Sequence, residues 1–455
     1  MKKRVLLITR HFAPENIISA IRPTKVAKYL TRAGFEVTVL TQKPSVPEDG
    51  LLCRDLAECG RVLRADSAES SSFFSRLLHR PLHRPKKKEK SGLVGAGATS
   101  EEKSIGTLHR IISGYRQFLR VKRREMEFYR STMNYVQHAG LDLSHFDVMI
   151  SSYSPMATHM VALALKEKCP TLRWIADYRD PMDPCRPAPL RRYYDRWQKR
   201  VLNHCDAVTA ASEGYLKMLL KGHPDLCGVP IYNGYDPEDG EEETAVPLPE
   251  EKKVFRILGM GGLYAGRRDV SIVFSAVSDL LKSGRIRRDQ ICIDYYGAGT
   301  SAPYLKRKID ELELPPFFYD HGRVPREEVL LKQKQAQMVL SSGWDTSDYH
   351  GVIPGKFSEQ LLLRKPILGV VCGSGKKSEL HRLIHSLRVG YCYEEGNHAD
   401  SYEGLKKYIA ESFTYWRTRN KELYEPDEKK RAAFDYNNLI REWIEVINDD
   451  NKGKL

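Results

Sequence analysis

The feature that most restricts how this chain can fold is a repeated exchange of two periodicities. Short β-rich runs alternate with stretches whose apolar residues recur every three to four positions. The first series runs RVLLIT (4–9), a helical stretch at 20–33, EVTVLT (36–41), DVMISS (147–152) and a helix from Pro155 to Lys168. It continues with TLRWIAD (171–177), a helix from Leu190 to Asn203, AVTAAS (207–212), a helix from Glu213 to Lys221 and VPIYN (229–233). An acidic, Pro-containing stretch at 236–253 follows, and the alternation restarts. Its strands are FRILGMG (255–261), ICIDYYG (291–297), FFYDHG (317–322), MVLSS (338–342), PILGVV (366–371) and GYCYE (390–394). Helical stretches at 269–283, 302–313, 325–336, 356–363 and 377–387 lie between them. Such alternation predicts parallel sheets covered on both faces. We expect two doubly wound α/β domains, 1–235 and 236–425, with a helical segment 426–455 crossing back to the first.

One segment interrupts the pattern. Between Arg61 and Arg130 stand 17 Lys/Arg and seven Asp/Glu, so most of the chain's formal net charge of +14 lies there. Residues 80–104 are rich in Pro, Gly, Ser and charge without an apolar period, which predicts a loop. Beyond it Ile105, Leu108, Ile112, Tyr115, Leu119, Met126, Tyr129, Met133 and Val136 recur at helical steps, with Arg110, Arg116, Arg120, Arg123 and Arg124 among the polar positions. Residues 51–138 are thus expected to be a basic insertion ending in a long amphipathic helix. The segment 61–130 suits an anionic membrane surface. It carries no recognisable nucleic-acid-binding fold and no regular stacking aromatics, so nucleic acid is not expected as a partner. No apolar run approaches the roughly 20 residues of a membrane span, and the apolar run after MKKR is too short for a signal peptide. Nine cysteines without a CxxC pair suggest neither a disulfide framework nor a zinc site. The expected location is cytoplasmic, peripheral on the inner face of the membrane.

Open α/β sheets bind ligands beyond the carboxyl ends of their strands, so the βα loops carry the candidate chemistry. The loop after the first strand, TRHFAPENIISAIRP, has neither GxGxxG nor a P-loop, and GSGKKS (373–378) has Lys377 where a P-loop needs Ser or Thr. After TLRWIA come Asp177, Arg179 and Asp180. Two carboxylates flanking an Arg can hold a hydroxyl or a sugar, or can simply pin the loop. In the second half, GLYAGRRD (262–269) places Gly262, Arg267 and Arg268 before a helix; glycine lets the backbone approach an anion and paired Arg side chains suit a diphosphate. GVIPGKFSE (351–359) opens another helix with Lys356 and puts Glu359 one turn on, a cation for phosphate and an acceptor for ribose hydroxyls. The His381 and His385 pair in HRLIH lacks the Glu of HExxH and a third ligand, so no metal site is expected.

Seven motifs in order, from HFAPENIISAIRPTKVAKYL through FDVMISSYSP, WIADYRDPM, VTAASEGY, IYNGYDPED and GGLYAGRRD to GVIPGKFSEQLLLRKPIL, resemble glycosyltransferases of the GT-B fold, family 4 type, in particular bacterial enzymes of surface-polysaccharide assembly. The resemblance implies two Rossmann-like domains facing a cleft and retaining, metal-independent transfer of a hexosyl unit, with no cofactor, from a nucleotide sugar to a lipid-linked glycan. It implies donor contacts at Gly262, Arg267, Arg268, Gly297, Gly299, Val324, Lys356 and Glu359, with an acceptor side at His11, Asn16 and Ser154. It also implies catalytic roles for Asp177, Arg179, Asp180, Arg268 and Lys356. The sequence departs from the family where Gly351 replaces the first Glu of the Glu-seven-residues-Glu motif, and where Ile18-Ser19 replaces a glycine pair. A nucleotide-sugar epimerase of the same architecture, or a catalytically silent nucleotide-sugar-binding protein, is the competing reading.

Overall fold

A computed structural model describes residues 2–66, 100–182, 186–241, 254–263, 267–297, 299, 302–311, 318–322, 324–346 and 349–449. Two all-parallel sheets organise them. The first holds β1 (Arg4–Ile8), β2 (Glu36–Gln42), β3 (Arg61–Ala65), β4 (Val148–Tyr153), β5 (Arg173–Tyr178), β6 (Ala207–Ala210) and β7 (Cys227–Pro230) in the order 3-2-1-4-5-6-7. The second holds β8 (Phe255–Met260), β9 (Ile291–Tyr296), β10 (Phe318–Asp320), β11 (Met338–Trp344), β12 (Ile367–Cys372) and β13 (Gly390–Glu394) in the order 10-9-8-11-12-13. Central strands such as β4 and β12 are buried along their whole length, as sheets covered on both faces require. Each sheet reverses its winding once, between β1 and β4 and between β8 and β11, the kind of switch point at which open α/β sheets leave a crevice.

The expected insertion is shorter than the sequence suggested. The helix Gly50–Leu56 and the strand β3 complete the first sheet, with Leu52, Leu63 and Ala65 buried. The alternating pattern of RVLRA was obscured by its two arginines. The loop expected at 80–104 lies outside the described residues as far as 99, and residues 100–104 are already helical, in Ser100–His138. That 39-residue helix is about 58 Å long. It is fixed to the first domain by Glu125, buried in its middle, whose carboxylate accepts from the amides of Met156 (3.3 Å) and Ala157 (2.5 Å) and from the Tyr194 hydroxyl (2.8 Å). A carboxylate at the start of the helix Met156–Lys168 meets unpaired amides and the positive end of the helix dipole. Burial nevertheless pushes the Glu125 carboxyl above its usual range.

At the edge of the first sheet the strand expected at 229–233 pairs over Cys227–Pro230 instead, with the Ile231 amide still donating to the Ala210 carbonyl at 2.8 Å. The chain crosses between domains twice, and the crossings touch. The Tyr235 amide donates to the Phe434 carbonyl at 2.8 Å, and the Tyr436 amide to the Tyr235 carbonyl at 3.0 Å. The last helix, Tyr436–Asn448, then buries Tyr436, Leu439, Trp443 and Ile447 against β1, β2 and the helix Ile18–Arg32 of the first domain.

Candidate active site

The carboxyl ends of the two sheets face each other across a cleft of about 700 Å³ lined from both domains. On the second-domain wall, the loop after β8 and the start of the helix Lys356–Leu363 meet. Gly261 has φ +89°, and a Cβ there would stand 3.2 Å from Lys356 Nζ, so the ammonium lies over bare backbone that only glycine provides. Beside it the Arg268 guanidinium sits 4.8 Å from the Trp344 ring centroid, and Trp344 is itself stacked on Tyr349 at 6.0 Å with 7° between the planes. Stacking of this kind orients a planar cation. Arg268, Lys356, Glu359, Gly262, Gly297 and Val324 all line the cleft. Arg267 and Gly299 do not line it.

The same wall carries neutral polar groups that the sequence did not single out. Gln333, Ser341 and Gln360 are each at most 3% exposed and line the same wall. Both amide atoms of Gln333, the Ser341 hydroxyl and the Gln360 carbonyl oxygen have no hydrogen-bond partner among the described residues. Buried donors and acceptors of this kind suit a ligand with hydroxyls or an amide-like edge.

The first-domain wall divides the DYRD cluster. Arg179 and Asp180 line the cleft, paired at 3.4 Å, with the Arg179 guanidinium also donating to the Ser154 carbonyl at 3.1 Å. Asp177, for which the resemblance implied a catalytic role, is not among the residues that line the cleft. Its carboxylate is 2% exposed and accepts from Arg22 Nη2 (2.9 Å) and Nε (3.2 Å), from Ser152 Oγ (2.9 Å) and from Thr209 Oγ1 (2.9 Å). With its lone pairs so engaged, Asp177 pins the loop and orients Arg22. Arg22 then continues to the Tyr232 carbonyl at 2.9 Å and lies over the Trp443 ring. Asn16 lines the cleft, whereas His11 and Ser154 stand outside its lining. His11 Nδ1 is 2.9 Å from Glu15. Burial would raise the Glu15 carboxyl, but bonds from His11 and Ser45 hold it below its usual range.

Position 351 has no room for a side chain. Gly351 has φ +76°, and a Cβ on it would stand 2.6 Å from both Ser212 Oγ and the Tyr215 amide. That position is taken by contact with the first domain, where the helix Glu213–Leu220 begins. The contact is reinforced by Glu379 of the second domain, whose carboxylate accepts from the Glu213 and Gly214 amides at 2.8 Å each and from the Tyr232 hydroxyl at 2.5 Å. Asp345 is buried and 2.9 Å from His350, away from the cleft lining.

Three carboxylates, Asp55, Asp236 and Asp239, approach closely enough to hold a cation. The cations between them are the protein's own. Lys25 Nζ lies 2.6–2.7 Å from all three, and Lys28 Nζ lies 2.7 Å from Asp55 and Glu238 and 2.9 Å from Asp236.

No protein-family model matches the chain, and no curated protein matches it. Solved structures do match over nearly its whole length. Sucrose-phosphate synthase from Thermosynechococcus elongatus aligns with 98% of this chain and 98% of its own at 14% identity and a TM-score of 0.60. Anabaena HepE, in complex with UDP-glucose, aligns at 13% identity, 97% and 99% coverage and a TM-score of 0.57. The lipopolysaccharide outer core galactosyltransferase WaaB aligns at 11% identity, 98% and 99% coverage and a TM-score of 0.56. The fold is therefore GT-B: two Rossmann-like domains facing a cleft.

Proposed function

We propose that this protein is a retaining, metal-independent glycosyltransferase that moves a hexosyl unit from a nucleotide sugar to a lipid-linked glycan in surface-polysaccharide assembly. The observation that carries the reading is that Arg268 and Lys356 both line the second-domain wall of the cleft, Lys356 over the backbone of Gly261. Two cations there match the charge that develops on a departing nucleoside diphosphate, and preorganised charge in a shielded cleft is worth more than the same charge in water. Trp344 holds Arg268 in place before the ligand arrives. Glu359 suits ribose hydroxyls, and Gln333, Ser341 and Gln360 supply neutral contacts to base or sugar. As the bond from anomeric carbon to phosphate oxygen breaks, the diphosphate leaves with the electron pair toward Arg268 and Lys356. The acceptor hydroxyl attacks from the same face, beside Arg179 and Asp180, and its proton passes to the leaving phosphate oxygen. Two of the similar structures support a nucleotide-sugar donor: one is a complex with UDP-glucose and the other is a lipopolysaccharide galactosyltransferase.

The test is incubation with UDP-, GDP- and dTDP-sugars and a lipid-linked acceptor, following free nucleoside diphosphate and glycan. Transfer with one donor, abolished in R268A and K356A while both variants keep the wild-type circular dichroism, is the expected result. Conversion of the donor to its epimer, or tight donor binding without turnover, would overturn it in favour of an epimerase or a silent binder.

A further inference from the structure

The described residues contain six exposed large hydrophobic side chains, and four of them lie within nine residues of one helix: Ile111 (63% exposed), Ile112 (43%), Tyr115 (52%) and Leu119 (47%). Isolated exposed hydrophobics need no explanation, but a contiguous set marks a surface that meets something apolar. At 3.6 residues per turn these four span an arc of about 100°. The arc is distinct from the face that holds the helix to its domain. Gly114, Glu125, Phe128 and Thr132 occupy the packed face, where Gly114 is needed because a Cβ would stand 2.9 Å from Pro187. Phe118 closes that face against Tyr193 at 5.9 Å. A third face carries Arg116, Arg120 and Arg123, all exposed. Arg123 is paired with Glu127 at 2.7 Å. Glu127 is the only acidic residue of 111–130 besides buried Glu125, against six basic ones. The neighbouring helix Ala188–Leu202 adds exposed Arg192 and Arg196 on either side of Tyr193.

We infer that this outer stretch of the helix Ser100–His138 is a docking surface for an anionic lipid bilayer. In this arrangement Ile111, Ile112, Tyr115 and Leu119 enter the headgroup layer and Arg116 and Arg120 meet lipid phosphates. An interfacial helix needs an apolar face beside a cationic one, and this helix has both while a third face anchors it through Glu125. A second copy of the chain is the poorer occupant, because a two-fold contact through the stripe would set the same arginines of the two copies side by side. The inference goes beyond glycosyl transfer and does not depend on it, since lipid binding is measured without donor or acceptor.

The test is cosedimentation of the full chain with vesicles of phosphatidylcholine alone and with phosphatidylglycerol added, using wild type, I111S/I112S/L119S and R116Q/R120Q. Thermal melts of the three proteins control for folding. Wild type is expected to bind the anionic vesicles selectively and to lose that binding in high salt. R116Q/R120Q is expected to weaken binding on the order of 25-fold, at about fivefold per arginine, and the serine variant at least as much. A Tyr115→Trp variant should show a blue-shifted emission on vesicle addition. Equal sedimentation of all three proteins with anionic vesicles, or a wild-type dimer by light scattering that the serine variant turns into a monomer, would overturn the inference.

Discussion

The helix that follows the first strand of each domain occupies the same place in the Rossmann pattern, yet the two are built for opposite tasks. In the second domain Ser271–Lys282 buries Val273, Phe274, Ala276, Val277 and Leu280 and serves as an apolar cover. In the first domain Ile18–Arg32 buries Arg22, Lys25 and Lys28. Those cations reach the chain that leaves for the second domain: Arg22 bonds the Tyr232 carbonyl, and Lys25 and Lys28 bond Asp236. The first helix is thus the joint. Burial alone would raise the Asp236 carboxyl, but Lys25, with hydrogen bonds from Lys28 and Tyr29, holds it well below the usual carboxylate range. The second domain instead directs Arg268 and Lys356 into the cleft. Lys25 and Lys28 are paired with internal partners, whereas Arg268 and Lys356 line the cleft, with Arg22 on the facing wall.

That contrast can be broken most directly at Asp236. D236A should cost about 3–5 kcal/mol, because two buried ammonium groups lose a shared partner; a urea midpoint equal to wild type would mean the cluster does not hold the joint. Lys356→Ala, on the other wall, should leave that midpoint unchanged and lower turnover by on the order of 100-fold or more. If it unfolds the protein instead, the division of labour is wrong. A titration sharpens the comparison further. His159, buried in the first domain with Nδ1 2.7 Å from Ser151 Oγ, has its pKa pushed down to about 3 by burial. The unfolded chain, with a histidine pKa near 6.5, binds that proton first. His159 therefore contributes full stability above about pH 6.5, and the contribution is lost at about 1.4 kcal/mol per unit as pH falls toward 3. Stability at pH 5.0 should be about 2 kcal/mol below that at pH 7.5, and H159Q should lack this part of the slope; parallel pH profiles would remove His159 as the cause. The smallest effect belongs to Trp344→Leu, which unstacks Arg268. Nucleotide affinity, read by calorimetry, should fall about fivefold, corresponding to about 1 kcal/mol, with thermal stability little changed.

Much of the fold could be read along the chain because strand and helix periods are local. The helix at 356–363 lies where the apolar spacing placed it, and β8, β9 and β12 fall within one or two residues of their expected runs. The miss at β3 came from letting charge outweigh alternation in RVLRA. The site was legible in part. Arg268, Lys356 and Glu359 stand in βα loops whose glycine and basic composition announced them. Asp177 was ambiguous because a strand-end carboxylate looks the same whether it faces solvent or Arg22. Trp344 and Gln333 had no signal, since nothing in SSGWDT marks a ring that will stack on Arg268 and nothing in KQKQAQ marks the glutamine that lines the cleft. Gly261 had a faint one, in the doubled glycine of GMGGLY.

By itself the sequence determined the two parallel-sheet domains, the position of the basic helix and the loops that carry cations, because each depends on a periodicity or composition within a few turns of chain. Only the tertiary structure decided which charges are internal and which face the cleft. Nothing local to the helix shows that Arg22, Lys25 and Lys28 are buried; Asp177, Asp55 and Asp236, distant by up to 211 residues, are brought against them by the fold. Gly351 likewise reads as a lost carboxylate until the first domain is seen to fill the space a side chain would need. Partners remote in sequence set the burial and pairing of each group, and burial and pairing decide what a charge does.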